Sequence, residues 1–344
     1  MRSLLVALVL ACFLPAPVAL AALPDVPPGA IGGGAPDEDE QPTVEARLLF
    51  DAATAASGQT LRLGVLFEAQ PGWHLYWRNP GDTGFPTRLT WHAPGLEIGP
   101  TRWPVPEVFT EDDTLTTYGY EHVVLLRNEA HVSAPPGASL DVSVDADFLV
   151  CKVQCIPGRI TLSRALPVAT AAVPADAATL AQFAIAELFT PRPAEELGLV
   201  VDAVYSQSAI RPGDRFQAAL SIRCDPEAAR CPQVRGLRHP AEPGRSFAPE
   251  KMPSLRVTAS GSRAHPAGPG ARIVTLEGQA FDEDVRPDRS LAGVLQLVGG
   301  APEGGPREMF VSFAVDLPRA EAGAAVEARP GPWLLPEPPP AAPV

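Results

Sequence analysis

The chain is short of positive charge. Its 27 Lys and Arg stand against 40 Asp and Glu, a formal net charge of −13. That balance opposes a nucleic-acid partner and an anionic membrane surface, both of which attract clustered cations. Long apolar runs are equally scarce: residues 4–20 form one, and nothing else approaches the roughly 20 apolar residues of a membrane helix. No phosphate-cradling glycine loop and no nucleophile elbow occurs, which leaves nucleotide and common hydrolase chemistry without a foothold. The six histidines are scattered, with no spacing typical of a metal site. Cysteines number only five.

What is present begins with an export signature. A basic Met1-Arg2-Ser3 start, the apolar run and Ala19-Leu20-Ala21 predict a secretory signal peptide over residues 1–21. Val9-Leu10-Ala11-Cys12 is a loose lipoprotein box, so a lipid on Cys12 is the alternative N-terminal anchor. With Cys12 gone, Cys151, Cys155, Cys224 and Cys231 remain, an even set suited to two disulfides in an oxidising compartment such as the periplasm.

A mature chain of roughly 320 residues exceeds what one core usually organises, which predicts two domains. Residues 22–42, with Gly32-Gly33-Gly34 and an acidic run, read as a disordered leader. Short alternating apolar runs then recur between proline- and glycine-rich turns, near residues 44–50, 61–67, 74–78, 87–92, 122–127, 140–148 and 160–166. The fold class expected is all-β: two immunoglobulin-like β-sandwich domains joined by a short helical linker. The first domain spans 43–170. The linker spans 171–196, where Asp176 is a predicted N-cap and Leu180, Phe183, Ala184 and Leu188 a predicted apolar face. The second domain spans 197–317, and 318–344 is a Pro/Ala-rich disordered tail.

Cys151 and Cys155 close an apolar run, Phe148-Leu149-Val150-Cys151-Lys152-Val153-Gln154-Cys155-Ile156-Pro157. In a straight strand such positions lie ~13 Å apart, whereas a disulfide needs Cα atoms within about 4.4–6.8 Å, so the chain must turn between them. The loop closed is short and a bond there stabilises by only roughly 2 kcal/mol in the chain-entropy picture. A reversible dithiol, an inert staple and a soft-metal site such as copper all suit this spacing. Cys224 and Cys231 flank polar turn residues and read as a structural disulfide joining two strands.

Residues 71–167 resemble the N-terminal periplasmic domain of the thiol:disulfide interchange protein DsbD, and more closely its ScsB-like relatives associated with copper tolerance. The stretches that carry the resemblance are Pro71-Gly72-Trp73-His74-Leu75-Tyr76-Trp77-Arg78-Asn79-Pro80-Gly81-Asp82, Trp103-Pro104-Val105-Pro106-Glu107, Tyr118-Gly119-Tyr120-Glu121 and the cysteine segment. The resemblance implies a periplasmic exchange module that takes reducing equivalents from a thioredoxin-like or membrane donor and passes them to client protein disulfides. It implies Cys155 as the residue forming mixed disulfides and Cys151 as the resolving one, with no metal or organic cofactor required. It also implies a cap loop over the pair, here residues 109–118, which brings in Phe109, Asp112, Asp113 and Tyr118. A carboxylate at Asp112 or Asp113 beside a thiol would raise its pKa. His74 and Tyr76 match positions flanking the family's active site and are candidate docking or positioning residues. The three-residue cysteine gap is narrower than in DsbD itself and suits the ScsB-like branch. The family's membrane and thioredoxin-like domains have no counterpart here, so the expected donor is a separate polypeptide. A non-catalytic scaffold with structural disulfides and a copper-binding periplasmic protein are the alternatives.

Overall fold

The computed structural model describes residues 22–111, 115–228, 231, 233–237, 247–250, 255–264, 272–281, 288–300 and 308–329. Residues 1–21, predicted to be a signal peptide, and with them Cys12, lie outside the described residues. Among the described residues no helix is long and apolar enough to cross a membrane.

The first sandwich is built from β1 (Ile31–Pro36), β2 (Pro42–Phe50), β3 (Ala52–Ala56), β4 (Thr60–Ala69), β5 (His74–Gly81), β6 (Arg88–His92), β7 (Leu96–Ile98), β8 (Glu107–Glu111), β9 (Leu115–Glu121), β10 (Val123–Val132), β11 (Ser139–Cys151), β12 (Cys155–Ala169) and the short β13 (Val173–Pro174). One sheet runs β1-β2-β4-β10-β7 and the other β13-β3-β12-β11-β5-β9-β8, with β6 also on β11. Strand β11 shows why these residues make this layer. Leu140, Val142, Val144, Ala146, Phe148 and Val150 are buried on one face, opposite Phe50, Leu63, Val65 and Phe67 of the facing sheet, while Asp141 is exposed on the other. At its end the alternation stops: Leu149, Val150 and Cys151 are all buried, because both faces are covered there.

The expected disordered leader is instead part of the sandwich. Strand β1 pairs antiparallel with β2, from Ile31↔Arg47 to Pro36↔Pro42. Its glycines serve close packing: a Cβ on Gly34 would come within 2.7 Å of Ile160 and 3.2 Å of Phe148. The acidic run closes the turn, with Asp37 Oδ1 accepting the backbone N–H groups of Asp39 and Gln41.

The linker helix α1 (Ala177–Phe189) is capped by Asp176, whose carboxylate accepts the Thr179 backbone N–H at 2.9 Å. It is docked, not free: Phe183 and Ala186 pack on Leu49, Leu66 and Leu125 of the first sandwich. The buried row is Thr179, Gln182, Phe183 and Ala186, whereas Leu188, predicted to be inward, is 63% exposed. Phe183 and the Arg127–Glu187 ion pair set the rotation of the helix on its sheet.

After the short β14 (Arg192–Pro193), the second sandwich comprises β15 (Leu199–Tyr205), β16 (Arg215–Cys224), β17 (Gln233–Leu237), β18 (Phe247–Pro249), β19 (Leu255–Ala264), β20 (Arg272–Ala280), β21 (Ser290–Gly300) and β22 (Glu308–Asp316). Its sheets are β15-β16-β20-β19 and β14-β22-β21-β17, with β18 on β21. Cys224 and Cys231 are bonded, with Cα atoms 5.7 Å apart. The predicted disordered tail starts too early: residues 318–329 lie along the second sandwich, Ile210 N–H bonding Pro318 O and Arg329 N–H bonding Ser206 O. The two domains also touch. Ala248, Val294 and Phe310 extend the first domain's apolar core, and the Phe189 and Phe310 rings lie 5.6 Å apart.

Candidate functional site

The β11–β12 hairpin sets the cysteines directly opposite each other. Its ladder runs from Ser139↔Pro167 to Cys151↔Cys155, and Lys152, Val153 and Gln154 make the turn. The two are joined by a disulfide, with Cα atoms 4.1 Å apart. The pair is asymmetric: Cys151 is 2% exposed, whereas Cys155 is open to solvent.

Strand parity decides what surrounds the bond. Side chains alternate between faces, and residues paired across strands share one. Phe148 and Val150 point into the core, so Leu149 and Cys151 point outward. Cys151 pairs with His74 on β5, which puts His74 and Tyr76 on that outer face and Leu75 and Trp77 in the core. Strand β9 follows with His74↔Glu121 and Tyr76↔Gly119, and β8 with Phe109↔Thr117. One register thus gathers Cys151, Cys155, His74, Tyr76 and Phe109.

Within this group the fully buried Tyr76 places its hydroxyl 3.2 Å from Cys151 Sγ and 3.8 Å from Cys155 Sγ. Tyr76, Leu149 and Cys151 form a small apolar cluster outside the main core. His74 meets the edge of Tyr76 at 5.4 Å and stacks on Phe109 at 4.3 Å, nearly parallel. Burial pushes the His74 imidazole pKa below its ordinary value, with nearby Glu121 opposing. Its Nε2 is buried without a hydrogen-bond partner among the described residues, as suits a neutral ring.

The segment expected as a cap is the β8–β9 hairpin, and it reaches the disulfide in relay: Phe109 on His74, His74 on Tyr76, Tyr76 on the sulfurs. Asp112 and Asp113 lie outside the described residues. Tyr118, expected with them, is instead turned into the core, 6% exposed and edge-on to Trp77, because it is one position out of phase with Phe109's partner Thr117. Burial, with Asp82 adding to it, pushes its hydroxyl pKa far up. Two contributors carried no assigned role in the sequence reading. Gly84, at φ +85°, lays its backbone on the Tyr76 ring, where a Cβ would sit 2.5 Å from Cζ. Lys152 in the cysteine turn packs back on Gly72 and reaches Pro71 O at 3.5 Å. Both lie in or near the motif stretches, but no spacing signals the contact of Gly84 with Tyr76 or of Lys152 with Pro71 and Gly72. Among the described residues no group of three or more His, Cys, Asp or Glu is placed to hold a metal ion.

Residues 42–167 match the family described as thiol:disulfide interchange protein DsbD, N-terminal. The matched segment contains the whole arrangement just described, both cysteines included. This segment is a DsbD N-terminal-like domain. Among solved structures, the N-terminal periplasmic domain of ScsB from Proteus mirabilis superposes with a TM-score of 0.51 at 17% identity, covering 84% of this chain and 99% of that one. That likeness is one of fold and takes in both sandwiches. A protein of unknown function from Porphyromonas gingivalis W83 aligns over 80% of this chain and 100% of its own at 11% identity, with a TM-score of only 0.19. No curated protein matches the sequence. The DsbD N-terminal-like domain is therefore of the thiol–disulfide exchange kind, with its Cys151–Cys155 pair closed as a disulfide.

Proposed function

We propose that this protein is a periplasmic thiol–disulfide exchange module that passes reducing equivalents from a separate thioredoxin-like or membrane donor to client protein disulfides through Cys151 and Cys155. The observation that carries this reading is the asymmetry of the pair: one exposed sulfur, and one buried sulfur held against the Tyr76 hydroxyl. Exchange needs an accessible thiolate to attack and a second thiol within reach to resolve. In the reduced protein the Cys155 thiolate attacks a client disulfide, forming a mixed disulfide and releasing one client sulfur as a thiolate. The Cys151 thiolate then attacks Cys155 Sγ, releasing the second client sulfur and closing the Cys151–Cys155 bond. Two electrons move to the client, whose thiolates take up protons from water. A donor dithiol reverses the process and is itself oxidised. A periplasmic location fits the apolar, basic-led N-terminus and the likeness in fold to the periplasmic domain from Proteus mirabilis.

Trapping tests the assignment of roles. Cys151→Ser should accumulate mixed disulfides through Cys155, separable on a non-reducing gel, and Cys155→Ser should not. Trapping by neither variant would make the pair a static link. Trapping by the Cys155 variant alone would exchange the two roles.

A further inference from the structure

Val153, in the middle of the turn that joins the two cysteines, is 99% exposed, the most exposed large apolar side chain among the described residues. Local turn chemistry does not call for it. Glycine, asparagine, aspartate, proline and serine suit tight turns, and Lys152-Val153-Gln154 contains none of them. The neighbouring cation leaves it bare, because Lys152 folds back on Gly72 and Pro71. A second apolar side chain stands close to the same disulfide. Residues 84–87 lie along Tyr76, from Gly84 at the end of the ring to Thr87, whose hydroxyl donates to Tyr76 O at 3.3 Å. The Tyr76 hydroxyl is in turn 3.8 Å from Cys155 Sγ. Phe85, within this stretch, is 43% exposed. Two separate segments thus each present an unburied apolar side chain beside the exposed Cys155. Apolar side chains scattered singly are ordinary on a surface, but two beside one solvent-open disulfide make a rim.

We infer that Val153 and Phe85 are specificity-determining residues, which favour a polypeptide whose reacting cysteine is flanked by apolar side chains. The inference rests on the exchange function proposed above and names what that site selects. The occupant follows from covalent geometry. A mixed disulfide brings a partner sulfur to about 2 Å from Cys155 Sγ, so the residues flanking that partner cysteine come to lie against this rim. Apolar side chains there remove Val153 and Phe85 from water, and polar ones do not. A partner with charged flanks would have to shed water from its charges against two apolar groups. The exchange itself is unchanged: one partner disulfide is reduced to two thiols while Cys151 and Cys155 are oxidised to one disulfide. Selection acts on the approach of the partner, ahead of the bond exchange.

The test uses the full chain, reduced with dithiothreitol and freed of reductant. Its probes are the disulfide-linked dimers of two peptides, acetyl-Leu-Cys-Leu-amide and acetyl-Ser-Cys-Ser-amide, with reduction followed by acid quenching and chromatography. The readout is the ratio of the two rates, which a general change in thiol reactivity does not move. The native chain should favour the leucine-flanked dimer by about tenfold. Val153→Ser and Phe85→Ser should each lower that ratio by about threefold, whereas Val153→Ile and Phe85→Leu, which stay apolar, should keep it. Both positions lie on the surface, so these variants leave the core intact. A ratio unchanged by both serine variants would overturn the inference. So would equal slowing of the two dimers, which would mean that the segment along Tyr76 had been disturbed. A native chain that reduces both dimers without preference overturns the inference and leaves the exchange function standing. One that reduces neither, with no client trapped by Cys151→Ser, overturns both.

Discussion

The Tyr76 hydroxyl lies 3.2 Å from Cys151 Sγ, and nothing else described around that sulfur offers so close a polar contact. A disulfide sulfur is a poor acceptor, but the thiolate formed on reduction is a strong one. The contact therefore favours the reduced state more than the oxidised one.

Replacing Tyr76 with Phe should make the Cys151–Cys155 bond harder to reduce. A net hydrogen bond of about 0.5–1.5 kcal/mol corresponds to a potential roughly 10–30 mV more negative for this two-electron couple. Equilibration against glutathione buffers measures it. An unchanged or more positive potential would show that the hydroxyl does not serve the thiolate.

Stability should fall with acid partly through His74. Burial holds its folded pKa below the ordinary 6.5, so between the two values the unfolded chain binds more protons than the folded one. Stability from this group is complete above about pH 6.5 and declines as pH falls from there through the folded value. Urea titrations at pH 7.5 and 5.5 should show a smaller loss for His74→Phe than for the native chain. An equal loss would place the proton uptake elsewhere.

Gly119 is required by backbone, not by a turn. A Cβ there would lie 2.1 Å from the Leu75 carbonyl oxygen, where β9 crosses β5. Gly119→Ala should cost roughly 1–3 kcal/mol in chemical denaturation, the scale of overpacking. It should also speed alkylation of reduced Cys151, the buried sulfur, since the strands that carry Tyr76 and its neighbours must part.

The Asp176 cap stabilises the docked helix. Asp176→Ala should lower stability by about 1 kcal/mol at neutral pH. The Thr179 N–H and hydroxyl bonds hold this carboxylate below its usual pKa, so the contribution is present above the ordinary carboxylate range and lost as pH falls through the lowered value. Denaturation midpoints for the two proteins should therefore converge in acid.

Much of the sandwich was legible because its central strands bury one face and solvate the other. The alternation from Leu140 to Ala146 marks the start of β11 to within a residue, and the run at 61–67 falls inside β4. The cysteine hairpin was legible for a different reason: a bond between positions four apart forces a reversal. The omissions share a cause, since their structure depends on distant partners. Gly32-Gly33-Gly34 looks flexible alone, yet its glycines let β1 lie against Ile160 and Phe148. Strands β8 and β9 carry too little periodicity to register, and their order comes from β5 and from Asp82. The helix face was misread because Gln182 and Thr179 are inward only where Phe183 meets Leu49, Leu66 and Leu125. At the site, the cysteines, His74, Tyr76 and Phe109 could be named in advance. The role of Gly84 required the fold.

The ladder from Ser139↔Pro167 to Val150↔Ile156 would keep the two cysteines face to face with or without a covalent link. Breaking the bond opens a loop worth only roughly 2 kcal/mol of chain entropy and leaves twelve further residue pairs of the same hairpin in place. Oxidation state is thus separate from what sets the register of the two cysteines. A protein built this way can be charged and discharged through many cycles with its cysteines still in register, as a battery contact survives use when the casing, not the contact, bears the strain.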